Sequence, residues 1–231
     1  MAVMPHEGTH TIIFGTIAVP VGSAQFDGYL ARPDQSDPAR SVVVLHGADG
    51  LTPDTKDLCR VLARQGWVVL APDWFRGAEP SVDALASISD HRAIALIDEV
   101  VEFLASDDLP YADATRPAVV GVGAGGRFGL LYADHNRSVS AVVAVEPMLG
   151  DDVAEAVSGI GAPVLGFFGA DDEAIEVESV DALQAGTPNG QWIVYEGVGA
   201  GFLDAGGDGY HAGAERDALA RTVRVLAAAL A

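Results

Sequence analysis

The sequence predicts an α/β fold, with a mostly parallel sheet of roughly eight strands and helices on both faces, and three observations lead there. Short apolar runs rich in Val, Ile and Leu recur along the chain, too continuous to belong to strands with one wet face. Amphipathic stretches of helical length separate them, and Gly, Pro, Asp or Ser marks the handovers. At 231 residues the chain fits a single domain able to bury a full core.

Residues 11–19 and 24–30 read as two edge-type strands, separated by Pro20 and Gly22 and closed by Pro33. Residues 41–45 (Ser-Val-Val-Val-Leu) are the first strand expected to be buried on both faces. Thr52 then caps a helix with Pro53 in its first turn and Leu58, Val61 and Leu62 as its apolar stripe, and Gly66 ends it. Residues 67–71 form the next strand, stopped by Pro72. From 83 to 106 the pattern is one helix, with Ile94, Ile97, Val101 and Leu104 on its stripe and Asp98, Glu99 and Glu102 outside it. Strands follow at 117–122, 140–145, 164–168 and 191–195, alternating with helical stretches and ending in a helix over 214–230. The Gly- and Asp-rich segment 199–209 is the longest loop.

Thirteen basic against 33 acidic residues give a net charge of −20, which argues against nucleic acid and anionic membranes as partners and makes an anionic substrate harder to hold; a small-molecule ligand or substrate is the expected partner. The single cysteine, Cys59, sits on a helix face near Leu58 and Leu62 as a small core residue, so no internal disulfide forms and a reducing cytoplasm is the expected compartment. No basic leader and no long apolar run suggests membrane insertion. His6, His10 and His135 show no metal spacing, and no cofactor or metal is assigned. The oligomeric state is not legible.

Gly121-Val122-Gly123-Ala124-Gly125-Gly126, between a strand and a helix, carries the most chemistry. It satisfies Gly-x-Gly-x-x-Gly, and Glu146 follows Gly126 at the spacing of a dinucleotide fingerprint. That fingerprint normally opens the first βαβ unit of its domain, whereas several strands precede it here.

The blocks 41–50, 67–73, 119–126, 163–172 and 195–202, in that order, resemble the dienelactone hydrolase family of α/β-hydrolases, over nearly the whole chain from about residue 11. The resemblance implies an eight-stranded α/β-hydrolase sheet with a site at the strand C-termini, where a Cys or Ser nucleophile, an Asp and a His cleave esters or lactones without a metal. The nucleophile's position, on the strand-to-helix turn, is Gly123 here, and the histidine's is Ala200 in Tyr195-Glu196-Gly197-Val198-Gly199-Ala200-Gly201-Phe202. The family's acid falls on Asp172 or, with the register slipped by one, on Asp171. A glutamate usual in the turn after the third strand falls on Gly47, and an arginine of some members falls near Asp204; Arg76 is the matching arginine that remains. The backbone N–H of Ala124 and one from the His46-Gly47-Ala48-Asp49-Gly50 turn could still form an oxyanion hole, since neither needs a side chain.

The strand C-termini should therefore gather His46, Asp49, Asp73, Glu146, Asp171 and Asp172. His46 could act as a general base over a preserved oxyanion hole or simply hydrogen-bond its own turn. Glu146, ending an apolar strand before Pro147, could be a site carboxyl or pair with Arg127 or Arg137. Asp49, Asp73 and Asp171 read more readily as turn residues than as catalysts. Trp74, with Trp192 and Phe202, could line a pocket or an interface, and Tyr210 and His211 read as helix entry. Three functions remain open: a non-hydrolytic acid/base isomerase, lyase or cyclase acting on a carbonyl compound, a ligand-binding pseudoenzyme, and a weak hydrolase that activates water.

Overall fold

The computed structural model describes residues 8–75, 79–175 and 177–231; His6 and Arg76, named above, lie outside them. Eight strands form one sheet in the order β1-β2-β4-β3-β5-β6-β7-β8. They are β1 (Ile12–Val21), β2 (Ala24–Pro33), β3 (Ala39–Leu45), β4 (Val68–Pro72), β5 (Ala112–Val122), β6 (Ala141–Val145), β7 (Val164–Gly169) and β8 (Gly190–Tyr195). The pairs β1/β2 and β2/β4 are antiparallel, and every pair from β4 across to β8 is parallel. The helices are α1 (Pro53–Ala63), α2 (Val82–Ala86), α3 (Asp90–Leu104), α4 (Ala124–His135), α5 (Asp151–Gly159), α6 (Val177–Gly186) and α7 (Ala212–Ala229).

The strands alternate between two apolar layers, which is why their sequences carry no polar face. Val43 and Leu45 of β3, with Val119 and Val142, pack under α3 to α6 through Ile97, Val100, Leu130, Val157 and Leu183. Val42 and Val44, with Val120 and Val143, face the opposite way and meet Cys59 and Leu62 of α1 and Leu226 of α7. Cys59 is fully buried there, and burial pushes its thiol up to about 12, so it is an inert core residue.

Two expectations need correction. The single helix over 83–106 is two, because Ser87 and Ser89 bond the backbone instead of continuing the turn: Ser87 Oγ donates to Ala84 O at 2.6 Å, and Ser89 Oγ accepts from Arg92 N–H as the cap of α3. β5 begins five residues earlier than Pro117 suggested. Proline survives inside it because Pro117 lies at a register shift in the β3/β5 ladder, where its missing N–H costs no bond. Among the described residues no helix is long and apolar enough to cross a membrane.

Candidate functional site

The parallel strands deliver their C-terminal ends to one edge, and β5 passes there into α4 through Gly123 at φ 55°, ψ −122°. This sharp elbow is held by Gly123 N–H donating to Val145 O and by Gly123 O accepting from Met148 N–H. Its close approach is also enforced at Gly125, where a Cβ would lie 2.2 Å from Leu45 O; the glycines thus bring helix and strand together, which is a sufficient reason for the Gly-x-Gly-x-x-Gly pattern. At Gly123 the space is open: an added Cβ would meet only Gly47 Cα, at 3.8 Å. The N–H groups of Ala124 and Gly125, in the first turn of α4, have no intrahelical acceptor and form the positive end of its dipole.

His46 ends the strand–turn crossing beside that elbow and is fully buried. Its Nδ1–H donates to Gly47 O at 2.8 Å and its Nε2 accepts from Trp74 N–H at 3.1 Å, a neutral tautomer with both nitrogens occupied. Burial lowers its pKa, against the smaller pull of the Gly47 carbonyl and of Asp73, whose carboxylate lies 3.8 Å away. The sequence-based assignment of His46 as a base therefore does not fit the geometry: the lone pair a base needs is taken by a backbone donor. Asp73 accepts from Phe75 N–H and is a turn residue. Trp74 packs its ring on Phe128, 5.5 Å between centroids, and its indole N–H is buried without an acceptor among the described residues. Trp192 and Phe202 are buried core residues, stacked on Phe168 and set edge-on to Tyr195 respectively, rather than pocket walls. His211 caps α7, its Nδ1 accepting from Ala214 N–H.

Glu146 follows β6 at φ 47°, a left-handed conformation that costs a residue with a Cβ on the order of 1 kcal/mol or more. Neither Arg127 nor Arg137 pairs with it: Arg127 binds Asp90 at 2.9 Å and Arg137 lies against Asp134 and the Gly159 carbonyl. Both carboxylate oxygens of Glu146 instead accept from Gly201 N–H at 3.0 Å, with Phe202 N–H also directed at them. The side chain so pins the 199–209 loop next to Ala200, which is exposed. Desolvation raises the Glu146 carboxyl to about 7; the two N–H donors oppose the shift and nearby Asp172 adds to it. Asp172 accepts from Ala174 N–H, and Asp171 is exposed. With its carboxylate committed to a loop, Glu146 is not a ribose ligand of a dinucleotide site.

Two cavities open on either side of the elbow. One, about 490 Å³, lies between α2, α3 and α4 and is mostly apolar, with Leu85, Ile88, Phe128 and Met148 as walls and Gly123, Ala124 and Ala48 at its inner end. The other, about 310 Å³, lies between α1, α7 and the 203–205 loop, with Leu58, Val61 and Leu219 as apolar walls and Gly47 and Val122 at its inner end. Consecutive pairs, Gly47/Ala48 and Val122/Gly123, divide them. His46, Glu146, Asp171 and Asp172 line neither, whereas Asp49 and Asp204 rim the smaller. Asp54, Asp57 and Glu215, which also rim it, carried no motif; the only hint was the i, i+3 spacing of Asp54 and Asp57 on one helix face.

The sequence profile described as "Dienelactone hydrolase family" matches residues 26–230. The chain is 30% identical, over 93% of its length and 87% of the relative's, to the "Putative carboxymethylenebutenolidase" of Salmonella typhimurium, and 28% identical, over 76% and 75%, to the "Carboxymethylenebutenolidase" of Rhodococcus opacus. Among solved structures, the "Putative Dienelactone Hydrolase" from Klebsiella pneumoniae superposes with a TM-score of 0.85 at 27% identity, covering 94% of this chain and 99% of that one.

Proposed function

The chain belongs to the dienelactone hydrolase family, and from that premise we propose that it holds a carbonyl-containing small molecule at the elbow without acyl transfer. One observation carries this reading: the residue at φ 55° between β5 and α4, where the fold presents its nucleophile, is a glycine, while the backbone donors beside it are intact. A carbonyl oxygen over Gly123 can be met by the N–H of Ala124 and one from Gly47 or Ala48, because these groups belong to the backbone. Acyl transfer further requires a hydroxyl or thiol on the elbow and an imidazole with a free nitrogen; Gly123 carries neither, and the hydroxyl residues lining the flanking cavities, Thr52, Thr55 and Ser89, have no histidine among the other lining residues, Thr52 and Ser89 being helix caps. Water activation by His46 meets the same obstacle, since its Nε2 already accepts from Trp74.

Non-covalent acid/base catalysis on the bound carbonyl compound is the weaker reading, because Glu146, although its carboxyl is raised to about 7, lines neither cavity and gives both oxygens to the Gly201 N–H.

The test is nuclear magnetic resonance with a neutral aryl alkyl ketone labelled at its carbonyl carbon. Binding is expected to move the carbonyl resonance downfield and to shift the amide signal of Ala124, as a polarising N–H bond requires. Binding that leaves the Ala124 amide unmoved would contradict the proposal.

A further inference from the structure

The cavity between α2, α3 and α4 has the elbow at its inner end, with Gly123 and Ala124 in its wall and Leu85, Ile88 and Phe128 along its sides. Its volume, about 490 Å³, is that of a pocket able to bury a small ligand by itself. Val82 and Met148, which also line it, are 66% and 54% exposed, so the apolar wall runs out to the surface. One base and one acid line it, and they hold each other: Arg127 Nε donates to Asp90 Oδ1 at 3.2 Å and Arg127 Nη2 to Asp90 Oδ2 at 2.9 Å. Arg127 lies three residues past Ala124 on α4, about one turn from the N–H that a carbonyl oxygen would meet, and its side chain is only 18% exposed. Asp90 is fixed in turn as the first residue of α3, where the helix dipole favours a negative charge. Ser89 Oγ is occupied as the cap of that helix. The wall therefore offers a ligand apolar surface, the backbone donors of the elbow and a charge pair already satisfied.

We propose that this cavity selects a neutral carbonyl compound carrying an apolar arm, and that Asp90 sets the preference by keeping Arg127 from an anionic group on the ligand. This rests on the carbonyl site described under Proposed function and adds the class of molecule that the site takes. With the carbonyl at Ala124, the arm runs along Phe128, Leu85 and Ile88 towards Met148. A carboxylate on that arm would lose its water against apolar walls, beside an arginine whose N–H groups already serve Asp90, in a protein of net charge −20. An ammonium group would find both oxygens of Asp90 taken. A neutral arm loses nothing on entry and covers the apolar wall.

Nuclear magnetic resonance titration with phenyl hexyl ketone, and with the analogue of equal length whose alkyl chain ends in a carboxylate, tests this through the Ala124 amide and Met148 methyl signals. The neutral ketone is expected to move both signals and to bind about tenfold more tightly than the carboxylate. Asp90→Asn should narrow that gap to about threefold or less. Asp108→Asn, which removes one exposed charge ahead of β5, should leave the gap as it is, and so separates Asp90 from the general field of a −20 protein. Ile88→Trp, filling the cavity, should weaken the neutral ketone about tenfold or more. The two wild-type affinities and Ile88→Trp decide the cavity's preference independently of whether Asp90→Asn folds. The proposal is overturned, while the carbonyl site stands, if Ala124 responds and Met148 does not, or if the carboxylate binds as tightly as the neutral ketone. A gap that persists in Asp90→Asn, or closes equally in Asp108→Asn, likewise overturns it. If neither ketone moves the Ala124 amide, the carbonyl site itself is overturned.

Discussion

Gly123 and Glu146 stand on consecutive strand ends, and both have positive φ, but only one of them is a glycine. Gly123 takes the elbow conformation without a Cβ clash, so the backbone there is at rest. Glu146 holds a strained conformation and a partly buried charge together, and its two backbone bonds to the 199–209 loop are what the strain secures. The pH dependence follows with a definite sign. A carboxyl raised from 4.5 to about 7 in the fold favours the folded state when protonated, so its contribution is fully present below pH 4.5 and is lost as pH rises through 7. Above that the ionised group costs on the order of 2 kcal/mol, allowing for its partial exposure. His46 works the other way, its lowered pKa contributing stability above 6.5 that is lost as pH falls. Denaturant unfolding of Glu146→Gln between pH 4.5 and 8 should therefore lose the decline that the wild type shows towards neutrality; an unchanged difference between wild type and variant across that range would contradict this account. The carboxyl itself was visible in the sequence as an acid closing an apolar strand. Its partners were not, because Gly201 and Phe202 are 55 and 56 residues away and contribute only backbone N–H groups, which leave no mark in residue type.

At the scale of elements, the strands were legible because burial on both faces leaves uninterrupted apolar runs, as in residues 41–45 and 141–145. The α2/α3 break was not, since Ser87 and Ser89 sit inside a continuous apolar stripe and the helix period alone does not distinguish a capping serine from a tolerated one. The β5/α4 junction was read from its glycines, and their roles separate on the structure: Gly123 sets the turn, whereas Gly125 lets α4 approach β3. Gly125→Ala would drive a methyl into Leu45 O and His46 O, a clash between two backbones that no side-chain motion relieves. It is expected to lower stability by about 3 kcal/mol or more, read as a fall in the urea midpoint, or to prevent folding. A variant as stable as the wild type would mean that the helix does not approach the strand this closely.

For the molecule as a whole, the sheet order, the elbow at its C-terminal edge and the two flanking cavities make the frame on which the proposed carbonyl site rests, with Gly123 at its centre. The sequence showed the frame and the glycine at its centre, since both are written in local patterns. The acid-rimmed cavity was hidden because it joins residues 49–57, 204 and 215, which only the docking of α7 beside α1 brings together. The chain shares this fold and family with dienelactone hydrolases, and the proposal that it does so without forming an acyl-enzyme turns on Gly123. Exposure to a fluorophosphonate followed by intact-mass measurement puts that to the most direct test. The wild-type protein should show no adduct, and Gly123→Ser combined with Ala200→His should take up one; stoichiometric labelling of the wild type at any serine, threonine or cysteine would contradict the account.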